Sequence, residues 1–508
     1  MRFFKLLFSK AMFVALAIIL QVAIFFVFVL VLNEYYLTFQ IISIVLGLLV
    51  FLGIINKNCN PEYKIPWLVT VLCIPLFGTV LYIIFSKNGM SKITYKRFIE
   101  LEEESENLTK QTIEEKEKIR LSLDEYASQS YAIENMSRLP AYSNTRATFC
   151  AQGEEFFASL LVDLKNAKKF IFMEYFIIDE GEMWGSILEV LKQKVKEGVD
   201  VRILYDDIGC MGKIKSGYYK KLRKMGIKAY KFNRFKPIVS SIHNNRDHRK
   251  ITVIDGVISY TGGINLADEY INKKSRFGHW KDTAIRLEGE ASKSFTLLFL
   301  QNYTITSKKK ENFDSFVTQE FEKIEEGIFQ PFGDGPRPLY ENRVGEDTLI
   351  NLIGQAKERV TISTPYLICD YNLLSALERA SRRGVKVQII MPSVPDKKII
   401  WYLSRSNYKR LMNAGVEIYE YAPGFIHSKV ILVDEEIAIV GTINLDYRSL
   451  VHHYECGVLI YKSNCLLSIK EDLEDTLLKS IRIDDKSAKQ GFLVELICSL
   501  FKVFSPLL

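Results

Sequence analysis

The chain contains 508 residues, of which 48% are hydrophobic and 25% charged, and this composition excludes both a single small domain and a largely disordered polypeptide. The formal net charge of +7 is a mild bias toward anionic partners such as phosphates or lipid headgroups, and it does not by itself indicate a nucleic-acid-binding protein. The eight cysteines include no CxxC pair and no Cys/His cluster with zinc-ligand spacing, so we expect free thiols in a reducing compartment and no metal or other cofactor.

Residues 1–90 predict a membrane module with apolar runs at 11–32, 39–55 and 65–85. The first run would form about 33 Å of helix, which is enough to cross a hydrocarbon core of about 30 Å. Basic residues precede the first run and follow the third, and both clusters favour the cytoplasmic side. Three full crossings cannot satisfy both clusters. We therefore expect a multi-pass protein of the cell membrane with a cytoplasmic main domain, and the number of crossings stays open.

Residues 91–140 are rich in charge and in helix-forming side chains, and we interpret them as a charged, solvated helical connector. Two copies of one unit follow, at 141–310 and 335–508. Each copy predicts a helix, a strand, a second helix and a second strand, at 156–169, 170–178, 184–198 and 199–207 in the first and at 347–359, 360–368, 372–384 and 385–392 in the second. This alternation predicts an α/β fold with two pseudo-symmetric α-β-α sandwich halves.

Each copy then carries a His-x-Lys-x-x-x-x-Asp motif, although the chain has only six histidines. The first motif is "HRKITVIDG", with His248, Lys250 and Asp255, and the second is "HSKVILVDE", with His427, Lys429 and Asp434. We expect both motifs to lie on strands, where residues two apart share a face. The following segments align as well, and they place Asn265 and Asn444 where they can return to the same pocket.

Two sets of histidine, lysine and asparagine around one point would form a site that can bind a phosphodiester and react with it. The lysines and the two asparagines, Asn265 and Asn444, can bind its non-bridging oxygens. Because the reference pKa of histidine is about 6.5, one imidazole can be neutral and attack phosphorus while the other is protonated and donates to the leaving alcohol. These side chains supply the positive charge without a metal.

The acidic residues divide into two pairs. Asp255 and Asp434 complete the candidate catalytic motifs, but they lie seven residues past each histidine, on the opposite face of an ideal strand, so we expect them to brace a turn. Aligning "HWKDTAIRL" with "HHYECGVLI" sets Asp282 opposite Glu455 as candidates to orient an imidazole through Nδ1. We interpret the neighbouring histidines as lining or structural residues: His279, His452 and His453.

The duplicated motif resembles the signature of the phospholipase D superfamily, and the resemblance covers about Ala151 to the C-terminus. Segments such as "NNRDHRKITVIDG", "TGGINLADEY" and "YAPGFIHSKVILVD", together with "NPEYKIPWLVTVLCIPLFGTVLYIIF" in the membrane module, are similar to bacterial cardiolipin synthases. The resemblance implies phospholipase D-like halves, a membrane lipid bilayer as partner, and phosphatidyl transfer between two phosphatidylglycerol molecules through a phosphohistidine. By analogy, His248 is the nucleophile and His427 the acid and base. Thr442 replaces a serine that is frequent in the family.

The same residues leave alternatives open. A hydrolase would pass the phosphatidyl group to water, and another phosphatidyltransferase would use a different alcohol. A nuclease is disfavoured because it would not need the apolar module and because the chain lacks a dense basic and aromatic stripe, so we expect no nucleic-acid partner. A non-catalytic membrane scaffold is disfavoured by two intact motifs. The oligomeric state stays open.

Overall fold

The computed structural model describes residues 19–507 apart from residues 21, 25, 28–32, 87–89, 236–243, 320, 322, 325 and 341. The chain divides into two compact units. The larger unit spans Met90–Arg234 and Asn244–Cys498 and contains both motifs, whereas the smaller contains the N-terminal helices.

In the smaller unit, α1 (Asn33–Ile55), α2 (Pro61–Cys73) and α3 (Pro75–Phe85) pack against one another. Within α1, Tyr35–Ile55 is the only helical segment of the described part of the chain that is long and apolar enough to cross a membrane. The side chains of this segment are mostly exposed, as expected for a surface that faces lipid.

The other two apolar runs do not support further crossings. The run at 65–85 is divided between α2 and α3 at Pro75, and α3 has 11 residues, which is about 16 Å of helix and too short for a hydrocarbon core of about 30 Å. The run at 11–32 lies largely outside the described residues. Across the described ranges, the expectation of a multi-pass protein is therefore not supported.

The larger unit begins with α4 (Lys92–Leu108), α5 (Ile113–Leu123) and α6 (Ala127–Ser137). The start of α5 is fixed by a capping box in which Thr112 and Glu115 exchange hydrogen bonds. Although this segment is highly charged, one face of its helices is buried in the main core and includes Phe98, Leu101, Ile119, Leu123 and Ile133. The segment is therefore helical, and it packs on the domain rather than standing apart in solvent.

The first half continues with mixed strands and helices. Its strands are β1 (Thr145–Cys150), β2 (Phe170–Tyr175), β3 (Asp200–Asp206), β4 (Lys228–Phe232), β5 (Lys250–Ile254), β6 (Ile258–Gly262), β7 (His279–Lys281) and β8 (Ala284–Gly289), and its helices are α7 (Gly153–Asn166), α8 (Glu182–Lys196), α9 (Tyr218–Lys224) and α10 (Ser292–Ser307). Seven of these described strands form one sheet in the order β1-β8-β6-β5-β2-β3-β4. The β2, β3 and β4 strands are parallel, and the remaining pairs are antiparallel.

The second half repeats this arrangement. Its strands are β9 (Ile328–Asp334), β10 (Arg359–Ser363), β11 (Leu367–Ile368), β12 (Lys386–Pro392), β13 (Glu417–Tyr421), β14 (Gly424–Ile426), β15 (Val430–Val433), β16 (Ile437–Gly441), β17 (Leu445–Asp446), β18 (Glu455–Tyr461) and β19 (Ser480–Arg482), and its helices are α11 (Val344–Gln355), α12 (Tyr371–Arg382), α13 (Lys398–Arg405), α14 (Tyr408–Met412), α15 (Cys465–Leu478), α16 (Asp485–Ala488) and α17 (Phe492–Phe504). Eight strands within the described ranges form the second sheet, in the order β19-β13-β12-β10-β15-β16-β18-β9. The predicted pair of α/β halves is confirmed, and the second sheet includes β9, which precedes residue 335.

The predicted helices and strands of the repeat are all found, with small shifts at their ends. The α8 helix buries Trp184, Ile187 and Leu191 at intervals of three and four residues and stops just before Gly198, whose φ is +89°. The strand predicted at 360–368 is interrupted after Ser363, because Pro365 has no N–H to donate to a sheet.

Two short backbone pairings join the halves beside the motifs. The β7 strand of the first half runs parallel to β14 of the second, with Trp280 opposite Phe425. Asp247 forms an isolated parallel bridge with Tyr454. In each pairing, the residue that precedes an acidic candidate in one half lies opposite the residue that precedes a motif histidine in the other half. The two pairings therefore fix the distance between each acid and the histidine of the opposite half.

Candidate active site

The backbones of both motif histidines are held by the opposite half. The His248 N–H donates to the carbonyl of Tyr454 at 2.9 Å, and the His427 N–H donates to the carbonyl of Lys281 at 2.7 Å. Neither histidine lies on a strand of its own sheet, because β5 begins only at Lys250 and β15 only at Val430. The expectation that both motifs lie on strands therefore holds for Lys250–Ile254 and Val430–Val433 but not for the two histidines.

The acid that contacts each imidazole also comes from the opposite half. The Nδ1 of His248 lies 3.0 Å from Glu455 Oε2, and the Nδ1 of His427 lies 2.6 Å from Asp282 Oδ2. Because a carboxylate only accepts, each imidazole donates Nδ1–H and keeps the lone pair of Nε2 available for chemistry. The structure thus brings Asp282 and Glu455 to the motif histidines in a crossed arrangement.

The motif lysines complete a compact cationic cluster. All four motif side chains are buried: His248, Lys250, His427 and Lys429. The Nζ of Lys250 donates to the carbonyl of His248 at 2.5 Å, and the Nζ of Lys429 donates to the carbonyl of His427. Lys429 Nζ also lies 2.8 Å from His427 Nδ1. Because the Nδ1–H of His427 is donated to Asp282 in the shorter contact, Nδ1 cannot accept from the lysine. The positive charge of Lys429 at this distance disfavours protonation of the imidazole.

Burial and mutual repulsion lower the pKa values of this cluster. Burial, followed by the neighbouring lysines, lowers the pKa of His427 to about 4 and that of His248 well below its ordinary value. Burial also lowers the pKa of Lys250 to about 8 and of Lys429 to about 7. These lowered pKa values favour the neutral form of both imidazoles near pH 7, whereas one neutral and one protonated imidazole were expected. A bound phosphodiester anion would raise both imidazole pKa values.

The motif aspartates are not brought to the imidazoles. Asp255 and Asp434 have left-handed backbones, with φ values of 54° and 50°. The carboxylate of Asp255 accepts from the N–H groups of Lys168, Lys169 and Phe170 at 2.7, 2.7 and 2.8 Å. The carboxylate of Asp434 accepts from the equivalent amides of Lys357, Glu358 and Arg359, each at 2.8 Å. Both aspartates hold the backbone at the start of a central strand.

The two asparagines have different surroundings. Asn265 accepts from the N–H of Ile177 at 3.0 Å and donates to the hydroxyl of Tyr270 at 2.7 Å. The buried Oδ1 of Asn444 has no hydrogen-bond partner among the described residues. Of the two amides, Asn444 is therefore the one whose oxygen is left for a ligand.

Sequence reasoning assigned no role to Thr442 and missed two aromatic rings beside the motif histidines. Thr442 donates its hydroxyl to Glu455 Oε2 at 2.5 Å, so it helps to hold the acid that contacts His248. The ring centre of Phe176 lies 5.0 Å from that of His248, and the ring centre of Tyr270 lies 5.8 Å from that of His427. The serine-to-threonine difference at residue 442 was the one available signal, since no spacing rule points to Phe176 or Tyr270.

One group of described side chains offers three possible metal ligands, with atoms within 4.8 Å of one another: His248, His453 and Glu455. Two of these residues form the imidazole–carboxylate pair described above. A metal at this point would compete with the chemistry of the histidine, so the group does not fit a resident metal that assists a phosphodiester reaction.

Comparison with known proteins identifies related families and relatives over most of the chain. A family model described as "Cardiolipin synthase, PLD-like domain" matches residues 160–276 and 349–477, and one described as "Phospholipase_D-nuclease N-terminal" matches residues 45–87. Cardiolipin synthase 2 of Bacillus anthracis is 34% identical over 92% of this chain and 91% of its own length. Cardiolipin synthase of Alkalihalophilus pseudofirmus is 33% identical over 90% of this chain and 92% of its own length.

The fold is shared with a solved structure as well. The crystal structure of phosphatidylserine synthase from Haemophilus influenzae has a TM-score of 0.57 and 16% sequence identity, and the match covers 75% of this chain and 97% of that one. At this identity, the likeness concerns the fold alone. The relatives that match along nearly their whole lengths show that the chain is a phosphatidyltransferase of phospholipid biosynthesis and belongs to the cardiolipin synthase family of the phospholipase D superfamily.

Proposed function

We propose that the protein joins two phosphatidylglycerol molecules into cardiolipin and releases glycerol. The observation that carries this proposal is the crossed pair of imidazole–carboxylate contacts, which gives one buried cluster two imidazoles with a free Nε2 each. One imidazole can attack phosphorus. The second is needed to protonate the alcohol that leaves and later to deprotonate the alcohol that enters. Phosphatidylglycerol is the substrate named by the family resemblance.

In the first step, the Nε2 of His248 attacks phosphorus while the phosphorus–oxygen bond to glycerol breaks. The imidazolium of His427, protonated when the anionic substrate binds, gives its proton to the departing oxygen. Glu455 accepts the Nδ1–H of His248 and balances the positive charge that develops on its ring. The lysines and the amide N–H groups of Asn444 donate to the non-bridging oxygens, where negative charge accumulates.

In the second step, the phosphorus–nitrogen bond breaks as a hydroxyl of another phosphatidylglycerol attacks phosphorus. The neutral His427 takes the proton of that hydroxyl and is thereby restored, and His248 leaves as a neutral imidazole. The products are cardiolipin and a regenerated site, so atoms and protons balance over the cycle. Asp282 keeps the Nε2 of His427 aimed at the exchanging alcohol through its contact with Nδ1.

The substrates are membrane lipids, and the apolar helix Tyr35–Ile55 with the N-terminal family match indicates membrane association. We place the larger unit on the cytoplasmic side of the cell membrane, because basic residues follow the apolar region at Lys92, Lys96 and Arg97. We likewise propose that residues 141–310 and 335–508 form the two catalytic halves.

A product assay tests this function. Purified full-length protein is incubated with phosphatidylglycerol vesicles, and phospholipids and free glycerol are measured over time. Cardiolipin and glycerol in equal amounts support the proposal. Phosphatidic acid as the dominant product would instead show a hydrolase, and preferential transfer to added serine would show a different phosphatidyltransferase.

The Asp282→Asn substitution should move the alkaline limb of the pH profile. Asp282 raises the pKa values of His427, Lys429 and Lys250, so its neutralisation lowers the pKa of Lys429 below about 7. Since the lysine must be charged to bind the phosphodiester, kcat/KM should begin to fall at a lower pH than in the wild type. We also expect kcat at pH 7 to fall by about 10²- to 10⁴-fold, as the tautomer of His427 loses its anchor.

The measurement is kcat/KM for phosphatidylglycerol between pH 5 and 9. Asp472→Asn is the matched control, because it neutralises a partly buried aspartate that pairs with Lys281 rather than with a motif histidine. An alkaline limb that stays in place or moves upward in Asp282→Asn would contradict the assignment of Asp282 as an orienting acid.

A further inference from the structure

His453 is a third imidazole beside the reacting pair. Its ring centre lies 5.4 Å from that of His248, and its side chain is buried. Its backbone N–H donates to the carbonyl of Arg448 at 2.9 Å, and the next residue, Tyr454, accepts from the N–H of His248 at 2.9 Å. The backbone pairing therefore fixes His453 against the site.

The ring of His453 has unused hydrogen-bonding capacity. Neither Nδ1 nor Nε2 has a hydrogen-bond partner among the described residues, and the nearest acid, Glu455, is 3.7 Å from Nδ1. A buried polar group without a partner is costly and rare. Burial lowers the pKa of His453 to about 3, so its ring is neutral and presents one donor and one acceptor.

The equivalent position of the other half carries a different ring. Trp280 aligns with His453, and its ring centre lies 5.4 Å from that of His427. The indole of Trp280 has a donor but no acceptor, whereas the imidazole of His453 has both. Each motif histidine thus has a neighbouring ring at the same distance, but the two rings differ in hydrogen-bonding capacity. Only the ring beside His248, that of His453, can accept a hydrogen bond from an alcohol.

This difference indicates a ligand with hydroxyl groups. Phosphate oxygens only accept, so they would leave the acceptor nitrogen of His453 without a partner, and the lysines already serve them. A hydroxyl group both donates and accepts. The alcohol of the proposed reaction carries one hydroxyl that reacts near His427 and a further hydroxyl that must be accommodated elsewhere in the pocket.

We propose that His453 is a specificity-determining residue that hydrogen-bonds a non-reacting hydroxyl of the glycerol headgroup. This inference rests on the proposed function, because that function defines glycerol as the exchanging alcohol. It predicts that the site selects polyols over alcohols with one hydroxyl. Loss of the ring should weaken that selection when the two kinds of alcohol compete for the same phosphatidyl-enzyme intermediate.

The test compares two acceptors in one assay. Full-length protein in phosphatidylglycerol vesicles is given labelled glycerol or labelled 1-propanol at equal concentrations, and the label entering phospholipid is measured. We expect the wild type to prefer glycerol and His453→Phe to lower the ratio of glycerol transfer to 1-propanol transfer about tenfold, because the two acceptors share the first step and differ only in the second. His453→Asn, which keeps a donor and an acceptor, should restore part of the preference.

The neighbouring variant His452→Asn is the matched control and should leave the ratio unchanged. An unchanged glycerol-to-propanol ratio in His453→Phe overturns the inference, as does an equal loss of both transfers, which would show a structural role. The proposed function is tested separately by cardiolipin formation in the wild type. Glycerol exchange without cardiolipin would reject that function and still allow the role of His453 to be decided.

Discussion

We expect His248→Ala and His427→Ala each to lower the rate of cardiolipin formation by at least about 10⁴-fold, since residues that act as one unit lose nearly all their effect when either is removed. The double variant should be hardly worse than either single variant. The measurement is cardiolipin formed per mole of folded protein. His279→Ala is the matched control, because this histidine contacts Tyr421 rather than a motif residue and is half-buried.

The same variants separate the two roles. With phosphatidylglycerol labelled in the phosphatidyl group, His427→Ala should retain label covalently at His248 after rapid denaturation, because attack is possible and the second alcohol is no longer deprotonated. His248→Ala should retain none. Label in His248→Ala alone would exchange the roles of the two histidines, and full activity in either variant would reject the mechanism.

A large loss of stability is expected for Arg249→Met. Arg249 follows the first motif histidine but points away from the pocket, and its side chain is fully buried. Its Nε donates to the carbonyl of Glu455 at 3.0 Å, and one terminal nitrogen donates to the hydroxyl of Tyr340 at 3.1 Å. Burial raises the pKa values of the nearby acids Glu174 and Asp247, and the guanidinium of Arg249 lowers them. Its removal should cost about 3–5 kcal/mol, because the buried groups that it contacts lose their partner.

Urea unfolding of the purified protein, followed by tryptophan fluorescence, measures this loss. Arg146→Met is the control: Arg146 pairs with Glu288 on the surface, and an exposed pair of this kind contributes less than about 1 kcal/mol. If Arg249→Met unfolded at the same urea concentration as Arg146→Met, the guanidinium would not be holding the halves together.

The repeat made the order of helices and strands predictable, because strand and helix periodicities recur in both copies at similar intervals. It could not show which acid serves which histidine. Alignment makes Asp282 equivalent to Glu455, but equivalence within a repeat does not specify contacts between its copies. Those contacts depend on how β7 meets β14 and how Asp247 meets Tyr454, and such pairings leave no local signature.

Other differences have similarly physical origins. Because Asp255 lies seven residues after His248, strand geometry alone predicted that its side chain would point away from the imidazole. In the structure its carboxylate accepts hydrogen bonds from backbone amides. By contrast, His248 directly precedes the apolar residues of β5, so the sequence did not reveal that the backbone of His248 pairs with the other half. The unlike surroundings of Asn265 and Asn444 depend on tertiary contacts of Asn265 with Ile177 and Tyr270.

The crossed histidine–acid contacts have a consequence for the history and assembly of this architecture. A chain with a single copy of the unit would hold its histidine beside an empty acid position, and it could complete the site only as a twofold dimer. Its activity would then fall with dilution. Joining the copies in one polypeptide makes their encounter intramolecular, and a tether of this kind supplies an effective concentration in the millimolar range. Once joined, each copy is free to diverge at positions that a symmetric dimer must keep identical, as Trp280 and His453 have done.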